Sequence, residues 1–156
     1  MLKVDIPSRG LLRLKHLVLD VDGTIALDGQ PIPGVRERLD RLSETLTLWL
    51  VSADTQGTLA QLATELKAQV RLLHTGDEAA QKAARVDELG AERVVAIDNG
   101  ANDAVMLQRA ALGIAVLGGE GLATACLTAA DLVAPDIVTA LDLLLFPRRL
   151  IATLRT

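Results

Sequence analysis

The sequence predicts an α/β protein, a Rossmann-like three-layer sandwich on a mainly parallel sheet. Short apolar runs alternate with amphipathic segments along the whole chain. The apolar runs are continuous rather than every-other-residue, as strands covered on both faces require. Gly, Pro, Asn and Asp mark many of the joints between them.

The elements follow in order. Residues 2–6 and 11–15 form a predicted hairpin around Pro7-Ser8-Arg9-Gly10, an N-terminal extension of one domain spanning 1–156. Leu17-Val18-Leu19 lies in a first buried strand, 17–21. Residues 23–32 read as a loop with a tight turn at Asp28-Gly29. Pro33-Gly34 leads into an amphipathic helix through Glu44, and a strand follows at 46–51. Residues 55–68 read as a helix with Leu59, Leu62, Ala63 and Leu66 on one stripe. Asp54 and Thr55 suit its N-terminal cap better than a chemical role. Further strands are predicted at 70–73, 94–97, 114–117 and 132–133. Further helices are predicted at 77–89, ended by Gly90, and at 102–111, 121–129 and 137–145, the last resuming after Pro147.

Composition bounds the function. The 156 residues suffice for one sizeable core, which must be aliphatic because the chain has one Phe, one Trp and no Tyr. A net charge of −4 and a pI near 5.1 argue against nucleic-acid binding, as does the lack of aromatic stacking platforms. Cys126 is the only cysteine, which suits packing and a reducing, cytoplasmic setting. No signal peptide or membrane-spanning run is read, so no membrane partner is expected.

Four short segments fall at strand ends or just beyond, where open α/β sheets bind ligands. Asp20-Val21-Asp22-Gly23-Thr24 follows the first strand, and Ser52 ends the second. Lys82 stands early in the helix after the third, and Asp98-Asn99-Gly100-Ala101-Asn102-Asp103 follows the fourth. Taken singly, the serine is a helix cap, the lysine a surface charge, the loop a turn and the acids a structural ion-pair network. Their order and placement together are more specific. Paired acids at a strand tip call for a metal ion or a reacting phosphate, because unpaired buried charges are costly. His74 reads as an ordinary histidine, Gly118-Gly119-Glu120-Gly121 as a flexible turn, and Arg148 and Arg149 as surface charges.

These segments resemble the four motifs of the haloacid dehalogenase (HAD) superfamily, in order and over nearly the whole chain. Within it, Asn99-Gly100-Ala101-Asn102-Asp103-Ala104-Val105-Met106-Leu107 and the tail around Ala140-Leu141-Asp142 and Arg148-Arg149-Leu150 are similar to small soluble P-type-ATPase-like phosphatases. The resemblance implies that Asp20 is a nucleophile forming an aspartyl-phosphate and Asp22 the general acid and base. Thr24, Ser52, Ala53 and Lys82 are implied in positioning and binding phosphate, Lys82 with its charge. Mg²⁺ is the implied cofactor, held by Asp20, the Asp22 carbonyl, Asn99 and Asp103. The family commonly has Gly-Asp where this chain has Asp98-Asn99. The register favours Asn99 as direct ligand, with Asp98 as the alternative.

Asp22 favours phosphomonoester hydrolysis, since the resemblance implies Thr there in P-type ATPases and no acid in dehalogenases. Residues 25–51 and 53–81 leave no room for a cap domain. The expected partner is a phosphorylated substrate, with a homo-oligomer plausible. The competing reading is a non-catalytic regulatory or binding module that keeps the fold. A phosphotransferase or mutase fits less well without a cap.

Overall fold

The computed structural model describes residues 1–53 and 59–156. The capping roles read for Asp54 and Thr55 lie outside the described residues.

Six parallel strands form the central sheet. They are β3 (His16–Asp20), β6 (Thr47–Ser52), β7 (Gln69–Leu72), β8 (Val94–Asp98), β9 (Leu112–Val116) and β10 (Leu132–Ala134). Their spatial order is β10-β9-β8-β3-β6-β7. The chain runs outward from β3 to β7, returns to β8 on the other side of β3, and runs outward again. The direction of winding therefore switches between β3 and β8, which opens a crevice between their carboxyl tips.

The two faces of β3 bury different cores. Leu17 and Leu19 join the core under α1 (Val35–Ser43), α2 (Leu59–Leu66), α6 (Ile137–Leu145) and α7 (Pro147–Leu154). Val18 joins the core under α3 (Glu78–Leu89), α4 (Ala104–Arg109) and α5 (Thr124–Ala129). Side chains alternate across a strand, so continuous apolarity in β3, β8 and β9 means helices on both sides. This is the expected three-layer sandwich.

β7 departs from the expected buried strand. All four of its residues are exposed, including Val70 and Leu72. Among the described residues it is an edge strand that pairs only with β6, and its outer side has no neighbour in the sheet. β1 (Leu2–Ile6) and β2 (Gly10–Leu14) form an antiparallel pair whose Val4, Ile6 and Leu14 pack into the first core. Among the described residues, 25–51 hold a two-strand flap, α1 and the start of β6, and 53–81 hold α2, β7 and the start of α3. The flap is β4 (Ala26–Leu27) with β5 (Gln30–Pro31), joined at Asp28-Gly29. No cap is present among them. No helix among the described residues is long and apolar enough to cross a membrane.

Candidate active site

The sheet register sets the site. Leu19 lies level with Ile97, and Asp20 level with Val51. Asp20 and Asp98 therefore emerge side by side at the switch-point crevice, with Ser52 one residue beyond on the other flank. Ser52 is buried and Ala53 exposed, and the Ser52 carbonyl accepts the N–H of Leu73.

Lys82 reaches this crevice from the second turn of α3. That helix starts at Asp77, whose carboxylate caps the N–H of Ala80. Lys82 is 1% exposed, not the surface charge that helical lysines usually are. Its Nζ donates to Asp20 Oδ2 at 2.8 Å and to Asp103 Oδ1 at 2.5 Å, and stands 3.8 Å from Asp98 Oδ2. One ammonium thus faces three carboxylates whose nearest oxygens lie within 4.8 Å of one another.

Burial dominates the electrostatics. It raises the Asp20 carboxyl above its ordinary range, against the pull of Lys82. It raises Asp98 further, with repulsion from Asp20 and Asp103 added. Burial alone would lower the Lys82 ammonium, but Asp98, Asp20 and Asp103 hold it above its ordinary value. The carboxylates thus favour the charged form of Lys82.

The residues of the 98–103 loop make different contacts. Asp98 is fully buried; its Oδ1 accepts the Thr24 hydroxyl and the N–H of Asn99, both at 2.8 Å. Its Oδ2 is buried with no hydrogen-bond partner among the described residues. Asn99, favoured by the sequence register, has both side-chain atoms in hydrogen bonds. Its Oδ1 accepts from Thr24 at 3.2 Å and its Nδ2 donates to the Gly121 carbonyl at 3.0 Å. The structure thus brings Asp98 rather than Asn99 to the carboxylate cluster. Asp103 turns back on its own loop, Oδ2 accepting the N–H of Gly100. A Cβ at Gly100 would stand 2.7 Å from that oxygen, so a side chain there would push the Asp103 carboxylate aside.

Asp22 is exposed and has no hydrogen-bond or ion-pair partner among the described residues. It sits on a tight turn in which Gly23 takes φ +80° and donates to the Ala26 carbonyl. Thr24, by contrast, is buried and braces the 98–103 loop. Cys126 is buried under that loop, its thiol on the Gly100 carbonyl and pushed up to about 12 by burial and by Asp103 and Asp98, a packing group rather than a nucleophile. His74 is exposed. The signal for Asp98 was present in the sequence: an acid directly after Val94-Val95-Ala96-Ile97 repeats the pattern of Asp20 after Leu17-Val18-Leu19.

No family model matches the sequence. The uncharacterized protein MJ0073 of Methanocaldococcus jannaschii is 43% identical over 84 residues, 51% of this chain and 90% of that protein. The chain belongs to one family with it. Among solved structures, 3-deoxy-D-manno-octulosonate 8-phosphate phosphatase from Moraxella catarrhalis, in complex with magnesium, phosphate and KDO, superposes with a TM-score of 0.73 at 18% identity, covering 92% of this chain and 95% of that one. A putative HAD family hydrolase from Streptomyces avermitilis gives 0.62 at 22% identity, covering 84% and 90%. The catalytic domain of the CPx-ATPase CopB-B gives 0.57 at 26% identity, over 74% of this chain and 46% of that one.

Proposed function

We propose that this chain, which has the haloacid dehalogenase fold, is a Mg²⁺-dependent phosphohydrolase working through a phosphoaspartate on Asp20. The observation that carries the reading is the charge balance of the crevice. Three carboxylates face one ammonium, and among the described residues the innermost carboxylate keeps a buried oxygen that accepts no hydrogen bond and has only Lys82 near it, at 3.8 Å. A hard divalent cation fits that donor set, since it takes oxygen ligands and matches the excess negative charge.

Asp20, Asp98 and Asp103 would hold the cation together with the Asp22 carbonyl, while Asn99 and Thr24 brace the loop. Bound there, it would screen the repulsion between the carboxylates and an incoming phosphate. The fixed groups do the rest. Lys82 and the Val21 N–H hold the two oxygens of Asp20, at 2.8 and 2.7 Å, so the carboxylate is oriented before substrate arrives. An Asp20 oxygen attacks phosphorus and the bond to the leaving oxygen breaks, that oxygen taking a proton from Asp22. Water then attacks the phosphorus and gives a proton to the Asp22 carboxylate. The bond to Asp20 breaks and inorganic phosphate leaves. Lys82, Ser52 and the main-chain N–H groups near Val21, Asp22 and Ala53 would stabilise charge on the phosphoryl oxygens.

The test is hydrolysis of an aryl phosphate by wild type and Asp20→Asn, with and without Mg²⁺. Magnesium-dependent turnover that disappears in the folded variant supports the enzyme. A folded wild type inactive at every metal tried would favour the binding-module alternative.

A further inference from the structure

Two clefts border the flap. The larger, about 540 Å³, lies toward β9 and α6 between Leu27, Ile32, Val116 and Val138, and Asp22 does not line it. The smaller, about 270 Å³, lies between the flap and α2, and Asp22 forms part of its wall. A group that receives its proton from Asp22 must lie within hydrogen-bond reach of that carboxyl. We infer that the smaller cleft receives the leaving group, and that it favours monophosphates of uncharged polyhydroxyl compounds over those bearing a second anionic group. This rests on the role proposed for Asp22.

The wall chemistry carries the selection. Gln30 comes from the flap, and Gln61 and Glu65 come from α2. Gln61 Nε2 donates to Glu65 Oε1 at 3.2 Å, which orients one amide against one carboxylate. Amide side chains offer both donors and acceptors, as hydroxyl groups require. Leu62, Ala26 and Pro31 supply apolar surface for the carbon skeleton. Among the described residues no lysine or arginine lines the cleft, whereas Glu65 does; Asp22 carries its proton when the leaving group binds and adds no charge. Arg36 touches Glu65 only at 3.5 Å, and its side chain is 68% exposed, pairing from solvent. A second carboxylate or phosphate on the leaving group would meet like charge without a cation to receive it. The small volume suits a compact organic group.

Glycerol 3-phosphate and 3-phosphoglycerate differ chiefly by a hydroxymethyl against a carboxylate, so their kcat/KM ratio reads the cleft. Wild type with Mg²⁺ is expected to favour glycerol 3-phosphate by about tenfold or more. Glu65→Gln should narrow the ratio and Glu65→Lys should bring it near one or invert it. Glu92→Lys makes the same charge change beside the amino end of β8 and separates the cleft from overall charge. It should move the ratio by less than about twofold, because exposed charges beyond a Debye length are screened. A wild-type ratio near one overturns the inference, as do equal shifts from Glu65→Lys and Glu92→Lys. Aryl phosphate turnover distinguishes the two failures. Its absence in wild type removes the hydrolase reading and this inference together, and its presence with an unselective ratio removes this inference alone.

Discussion

Two ion-pair systems in this protein differ in a telling way. Arg38 on α1 meets Asp142 on α6 through two bonds, at 2.7 and 3.2 Å, and its remaining nitrogen donates to the Gly34 carbonyl. One cation answers one anion across a helix pair, and packing α1 on α6 explains it. At the carboxyl ends of β3 and β8, Lys82 answers three carboxylates at almost no exposure. Packing does not explain that arrangement, because an excess of buried like charge opposes folding. A balanced pair reads as architecture. An unbalanced buried one reads as a site built for a further cation and for a reaction.

The largest effect is expected at Asp20. Asp20→Asn should reduce aryl phosphate turnover by about a thousandfold or more, roughly 4 kcal/mol in the barrier, while circular dichroism stays native. Lys82→Met should come next in size. It removes the one cation among the acids, and denaturant unfolding in metal-free buffer should show a loss on the order of 3–5 kcal/mol.

Asp98→Asn sharpens the contrast because it should act in the opposite direction. It removes a buried group that Asp20 and Asp103 repel once it is ionised, so the metal-free protein should gain on the order of 1–3 kcal/mol at pH above the raised native range of Asp98. The sign follows from the raised carboxyl of Asp98. The native state binds its proton more tightly than the unfolded chain. That contribution is present below the unfolded value of about 3.9 and is lost as pH rises through the raised native value. Metal-free wild type should therefore lose stability over that rise, and Asp98→Asn should flatten the curve in denaturant melts across pH. Arg38→Met should have the smallest effect. Thermal melting should fall slightly, with aryl phosphate turnover and the response to Mg²⁺ unaltered.

Most of the fold was legible because each joint carried its own local signal. Gly90 stops α3, Pro147 starts α7, and Asp28-Gly29 turns the flap. The exposure of β7 was not legible, because Val70 and Leu72 look like any buried strand until sheet order makes that strand an edge. Lys82 was legible as a motif residue but not as a buried one. Its place on the stripe with Val86, one turn on, becomes apparent only when α3 is laid on the sheet. The choice between Asp98 and Asn99 depended on partners far away in sequence. Thr24 and the Gly121 carbonyl hold the asparagine in place, and no local pattern around residue 99 announces either.

The carboxylate cluster should bind a divalent cation through Asp98 rather than Asn99. Calorimetric titration with Mg²⁺ of wild type, Asp98→Asn and Asn99→Ala tests it directly. We expect one ion per chain in wild type, affinity about tenfold or more weaker in Asp98→Asn, and only a modest change in Asn99→Ala. No binding by wild type, or binding lost in Asn99→Ala and kept in Asp98→Asn, would contradict the account.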